Sequence, residues 1–197
     1  MDLKQAFKRS IVIIAIIAVS VLIGFLFQII SEKAEMSQNP LQFEEFVTKY
    51  SDEYGVPEYV IYSVIKNQSN FDSSILFDDG SIGLMKVSPD TLEKYKGVLH
   101  DSYDEGMLYD PETNIKYGTY LLSRLYVDLG TWQSVYAAMY TGEETVLEWL
   151  LDTDVSDIAE NVKTQLRDIP DKATAKYVSK LSKTADTYKE LYFDNND

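Results

Sequence analysis

The stretch Tyr54–Phe71, YGVPEYVIYSVIKNQSNF, carries a helix stop, a helix start and an amide in an unusual place. Gly55 and Pro57 end whatever helix precedes them, and Pro57 suits the first turn of the next, where its missing N–H costs nothing. Ile61, Val64 and Ile65 then recur at i, i+3 and i+4, the spacing of one buried helical stripe. Gln68 falls at i+7 on that same stripe. An amide there needs partners or a cleft, because a buried polar side chain left unpaired is costly.

Working outward, Phe43, Phe46, Val47, Tyr50 and Tyr54 predict a helix before this one. Residues 69–87 lose the helical period. Asp79-Gly80 is a tight-turn signal and Gly83 interrupts the next apolar stretch, so a small β tongue is expected within 76–87. Ser88-Pro89 and Asp110-Pro111 each pair a side-chain cap with proline at the first helical position. The second opens a long helix with the stripe Ile115, Gly118, Leu122, Leu125 and Leu129, closed by Gly130. Trp132–Met139 and Glu143–Leu151 predict two more helices around Thr141-Gly142, and Tyr177, Leu181, Tyr188 and Leu191 mark a last one. Two-residue alternation is never sustained. The expected fold class is mainly α, a compact multi-helix domain of lysozyme-like α or α+β type.

Before this domain lies an apolar run, Ile11–Ile30, without a charged residue. Twenty helical residues span about 30 Å, the thickness of a bilayer core. Lys4, Lys8 and Arg9 precede the run, whereas Glu32, Lys33 and Glu35 follow it, which predicts an N-terminus on the cytoplasmic side. A cleavable signal peptide is the competing reading. The length of the run and the lack of a small-x-small site after it favour an uncleaved anchor. The expected organisation is a cytoplasmic tail at 1–9, a single membrane span at 10–31, a tether at 32–40, the domain at 41–192 and an acidic tail at 193–197. Localisation in a bacterial cell membrane, with the domain facing outward, follows as an expectation. The absence of cysteine suits such an envelope and rules out a disulfide framework.

The formal charge is −14, and residues 1–35 carry four bases against three acids, so the rest holds −15. Nucleic acid is a poor candidate partner for such a chain. His100, the single histidine, argues against a Ser-His-Asp device and is expected in a surface loop. No metal or cofactor is expected: Asp72, Asp78 and Asp79 do not follow the spacing of a calcium loop. The fifteen tyrosines suit both core packing and a groove where rings stack on sugars.

Five segments occur in one order: YGVPEYVIYSVIKNQSNF, GSIGLMKVSPDT (80–91), LYDPETNIKYGTYLLSRL (108–125), AAMYTGEETVLEWL (137–150) and DIPDKATAKYVSKL (168–181). Together they resemble the soluble lytic transglycosylase (SLT) family, goose-type-lysozyme-like enzymes that cleave peptidoglycan. The resemblance implies a single glutamic acid that protonates the glycosidic oxygen and then serves as base on the muramyl 6-hydroxyl, leaving a 1,6-anhydro end. Gln68 occupies that position here. An amide has the size and hydrogen-bonding reach of the acid but no transferable acidic proton, and losing a positioned general acid–base costs typically 10²–10⁴-fold.

Gln68 does not depart alone. Lys86 stands where the family usually has glutamine, Met139 where it has tyrosine, Tyr140 where it has asparagine and Ala173 where it has glutamate. Gly83, Leu84, Met85, Asp110, Pro111, Asn114, Ile115, Gly118, Tyr120, Leu121, Gly142 and Tyr177 match. An isolated glutamate-to-glutamine change would explain Gln68 and not the other four. The site implied by the resemblance comprises Gln68 at the catalytic position and Ser69, Gly83, Leu84, Met85, Lys86, Met139, Tyr140 and Tyr177 along the substrate groove. The expected function is a membrane-anchored pseudoenzyme that binds glycan strands of peptidoglycan or a partner protein of the envelope. Two rivals are an active lytic transglycosylase, either with its acid relocated to Asp72, Asp78 or Asp79 or with glutamate as its native residue 68, and a pure protein-interaction module.

Overall fold

The structure, a computed structural model, describes residues 3–151 and 169–194. It divides into two units, Met1–Pro40 and Leu41–Asp197.

The first unit is one helix, α1, Leu3–Gln38. Its part from Ile16 is long and apolar enough to cross a membrane, a property that membrane spans share with signal sequences near an N-terminus. The tether expected at 32–40 is mostly helical. Ser31–Gln38 contains no proline or glycine, and the helix stops only where Pro40 disfavours the α conformation in the residue before it.

The second unit is mainly helical. Its elements are α2 (Glu44–Tyr54), α3 (Glu58–Gln68), α4 (Pro89–Lys96), α5 (Pro111–Leu129), α6 (Trp132–Thr141), α7 (Glu143–Leu151) and α8 (Lys172–Tyr188). Local chemistry explains their ends. Gly55, at φ +68, closes α2, and its N–H meets the Ser51 carbonyl. Pro57 lies one residue earlier than expected, as the cap before α3. Ser88 accepts the Thr91 N–H to open α4, and Asp110 accepts the Thr113 N–H to open α5. Each cap is worth about 1 kcal/mol. Beyond α8 a wide turn, Lys189–Phe193, continues the fold, and Phe193 packs on the core. Phe193 therefore belongs to the domain and not to a tail.

The core joins α3 to both α8 and α6. Tyr62 stacks on Tyr188 with ring centroids 5.2 Å apart, and Ser63 shares a buried 3.2 Å hydrogen bond with Tyr136. All four tyrosines with full burial, at 62, 117, 136 and 188, serve packing rather than a groove. On the other side α5 lies against α2, where Lys49 pairs with Glu112 at 2.6 Å and Ser123 donates to the Tyr54 carbonyl.

The tongue is present only as two isolated antiparallel bridges, Leu76 with Ile82 and Ile82 with Val87. It holds its shape through Asn114, a fully buried residue of α5. The Asn114 amide donates to the carbonyls of Ile82 and Leu108 at 2.8 Å each, while its oxygen accepts the Met85 N–H at 2.8 Å. One side chain thus pairs the Met85 N–H and the Leu108 carbonyl, which no sheet reaches, and adds a second bond to the Ile82 carbonyl, already held by the Val87 N–H. Gly83, at φ +76, passes so close that a Cβ would stand 2.4 Å from the Asn114 amide nitrogen and 2.7 Å from the Leu108 carbonyl oxygen.

Candidate functional site

A cleft of about 380 Å³ opens where the tongue faces α3, α5, α6 and the start of α7. Gln68, Met85, Lys86, Leu125, Met139 and Glu143 are among its walls. Gln68 is the last residue of α3 and half-buried. Its amide donates to the Tyr177 hydroxyl of α8 at 2.6 Å. The Tyr140 ring lies 5.0 Å from that of Tyr177, so α3, α6 and α8 meet beside Gln68. Burial pushes the Tyr177 phenol well above its ordinary range, with neighbouring Tyr136 adding to the shift and the Gln68 bond opposing it. Tyr177 therefore keeps its proton at neutral pH. Because its oxygen already accepts from Gln68, that proton is left for another acceptor.

Ser69, Gly83 and Leu84 lie beneath the surface rather than along the cleft wall. Ser69 is buried, and its hydroxyl bonds the Ile65 carbonyl at 3.1 Å and the Leu84 carbonyl at 2.9 Å, fastening the end of α3 to the tongue. Leu84 is wholly buried. Met85 is nearly so, wedged against Gly118, where a Cβ would come within 2.5 Å of the methionine sulfur. Small residues at 83 and 118 let tongue and α5 approach closely enough to shape the cleft floor.

Lys86 adopts φ +57, the left-handed region that non-glycine residues rarely occupy. The tight turn around it is closed by bonds between Ile82 and Val87 and from the Lys86 N–H to Gly83. Its ammonium lies 2.8 Å from Asp79 and 5.2 Å from the Phe77 ring centroid. Lys86 and the two Ser81 donors hold the Asp79 carboxyl far below the usual carboxylate range, so it stays ionised. Asp72 is likewise lowered, by the Ser74 hydroxyl and N–H, and is not among the residues lining the cleft. His100 lies in an exposed turn.

Several cleft residues escaped the sequence reading: Ser81, Ser88, Thr91, Leu121 and, most pointedly, Glu143. Glu143 follows Gly142, whose φ of +94 turns the chain from α6 into α7. That glycine was the available signal. A residue directly after a forced turn beside the groove segment is placed by the turn, not by helical period.

Residues 45–162 match the family model described as the transglycosylase SLT domain. The chain belongs to the SLT family. It is 28% identical to the soluble lytic murein transglycosylase of Escherichia coli K12 over 114 residues, which cover 56% of this chain and 18% of that protein. The corresponding protein of Salmonella typhimurium is 26% identical over the same length. Among solved structures, the 70-kDa soluble lytic transglycosylase of E. coli superposes with a TM-score of 0.70 at 23% identity, covering 81% of this chain and 26% of that one. A glutamate-to-glutamine inactive mutant of the lytic transglycosylase Slt from Pseudomonas aeruginosa gives a TM-score of 0.67 at 22% identity, covering 79% and 25%. A complex of the 70-kDa enzyme with bulgecin A also matches, at TM-score 0.70 and 22% identity. These likenesses establish the lytic-transglycosylase fold. The chain spans under a fifth of the curated relatives and about a quarter of the solved ones.

Proposed function

We propose that this chain is a membrane-tethered SLT domain that holds peptidoglycan glycan strands in the cleft beside Gln68 without cutting them. The observation that carries this reading is the amide at position 68, lining the cleft and bonded to Tyr177. A general acid must carry a proton at neutral pH and release it in the transition state, and an amide cannot. A glutamate-to-glutamine change accompanies inactivity in the Pseudomonas relative, which supports the same reasoning. The bulgecin complex supports ligand binding by the fold.

The acids nearest to hand do not replace the missing one. Asp79 is held ionised by Lys86, the wrong state for a proton donor. Asp72 is also lowered. An enzyme reading therefore falls on Glu143, the other carboxylate on the cleft wall. The apolar part of α1 supports tethering, and Lys4, Lys8 and Arg9 support a cytoplasmic N-terminus with the domain on the opposite side.

Co-sedimentation with purified sacculi tests the binding. The full chain in neutral detergent should pellet with sacculi, and a chain with the cleft obstructed by Ala138→Trp should not. Equal recovery of both in the supernatant would replace glycan binding with a protein-interaction role. Loss of glycan strands from the pellet, abolished by Glu143→Gln, would establish an enzyme.

A further inference from the structure

The outer face of α8 carries Lys172, Lys176, Lys180 and Lys183, all exposed, with no acid between residues 172 and 185. Successive spacings of four, four and three residues put them on one stripe of the helix. At 1.5 Å per residue the stripe runs about 16 Å, with charges roughly 6 Å apart. The opposite face, Thr174, Val178, Leu181, Ala185 and Tyr188, is buried in the core, which fixes the lysines outward.

What distinguishes these four is that no described carboxylate engages them, although Asp171 and Asp186 stand at the two ends of the row. None of them makes an ion pair with a described carboxylate. Every other described cation beyond residue 40 has a side-chain partner. Six face a carboxylate, Lys66 the Asn70 amide oxygen and Lys94 the Tyr95 ring. In a chain with formal charge −14, partners for lysine are plentiful. Like charges at i, i+4 also destabilise their own helix. A row of unmatched lysines under those conditions points outward to a ligand.

We infer that the α8 stripe is a docking surface for a linear phosphodiester polymer, separate from the cleft and not dependent on its function. A thin flexible chain can lie along one helix with a phosphate opposite each lysine. At physiological ionic strength charges beyond about 8 Å are largely screened, so such a ligand sees the lysine row, with Asp171 and Asp186 at its ends, and little of the acid farther away. A flat anionic bilayer would press on the acidic surroundings as well, and α8 has no apolar face left to insert, since that face is in the core. Ser179, between Lys176 and Lys183 on the stripe, offers no ring for stacking a base, which disfavours single-stranded nucleic acid.

The test uses the full chain in neutral detergent and a fluorescent poly(glycerol phosphate) oligomer, titrated at several salt concentrations. Four neutralised phosphates predict a slope of log K against log salt near −3, about −0.7 for each contact on a single-stranded polyanion. The fourfold variant Lys172→Gln/Lys176→Gln/Lys180→Gln/Lys183→Gln should bind more than tenfold more weakly with a slope near zero. Lys49→Gln/Lys96→Gln, which removes two paired lysines, should bind within twofold of the parent. Should the fourfold variant fold poorly by far-UV circular dichroism, the double variants at 172/176 and 180/183 should each lose about half of the slope. Undiminished binding by the variants would overturn the proposal. So would tighter binding of phosphatidylglycerol vesicles or a single-stranded oligonucleotide than of the oligomer.

Discussion

Replacing Asn114 by alanine should be among the most damaging single substitutions in the domain, although Asn114 is outside the cleft lining. The side chain is wholly buried and completes three backbone bonds of 2.8 Å, to Ile82, Leu108 and Met85. Alanine leaves the Met85 N–H and the Leu108 carbonyl in the interior without partners and removes one of two bonds to the Ile82 carbonyl, which keeps the Val87 N–H. Each unsatisfied group costs about 1–3 kcal/mol, and water admitted to the vacated space recovers part of that. The expected loss is therefore about 2–4 kcal/mol, a large share of the 5–15 kcal/mol that typical domains possess. Urea unfolding of the full chain in neutral detergent, followed by far-UV circular dichroism, measures it. The tongue should also become the first region to exchange its amides. A loss below about 1 kcal/mol, with Met85 and Val87 amides as protected as before, would refute the assignment of the tongue's order to Asn114.

Other substitutions separate neighbouring effects. Gly83→Ala and Gly55→Ala both place a side chain at positive φ, costing roughly 1–2 kcal/mol, but only at Gly83 does the new Cβ meet the Leu108 carbonyl and Asn114. Thermal unfolding should show Gly83→Ala as clearly the more destabilising. Gly118→Ala should cost about 1–3 kcal/mol through overpacking against Met85, and Met85→Ala in the same chain should recover part of it. For pH, the folded-state pKa values of Asp79, Asp72, Asp171 and Glu112 are all depressed. Their contribution is present above the unfolded carboxylate range near pH 4 and is lost progressively as pH falls from there through the lower folded-state values. Glu58, raised by burial, opposes the trend. Stability followed from pH 6 to pH 3 should fall, less steeply in Asp79→Asn.

The elements governed by local chemistry were readable in the chain itself. Ser88-Pro89 and Asp110-Pro111 announce their helices because a cap and its target N–H lie three residues apart. Gly55 and Gly130 announce endings because each takes a left-handed backbone, with its N–H on a carbonyl only four residues back. The role of Asn114 was not readable, since its partners Ile82 and Met85 lie about 30 residues away and only the fold brings them together. Ser69, Gly83 and Leu84 show a related limit. The resemblance that grouped them with Gln68 told nothing of their burial beneath the cleft, which depends on the tongue folding under α3. Glu143 entered the cleft through the turn at Gly142, and the continuation of α1 to Gln38 needed only the lack of a breaker before Pro40.

In the function proposed above, Gln68 supplies a hydrogen bond where a general acid would supply a proton. Incubation of the full chain with purified sacculi, followed by separation of the soluble products, tests it directly. The chain as it stands should release no 1,6-anhydro-muropeptides, at a protein concentration and time at which the soluble lytic murein transglycosylase of E. coli releases them readily. Release by this chain with Gln68 in place would show instead that the domain cuts glycan strands without an acid at position 68.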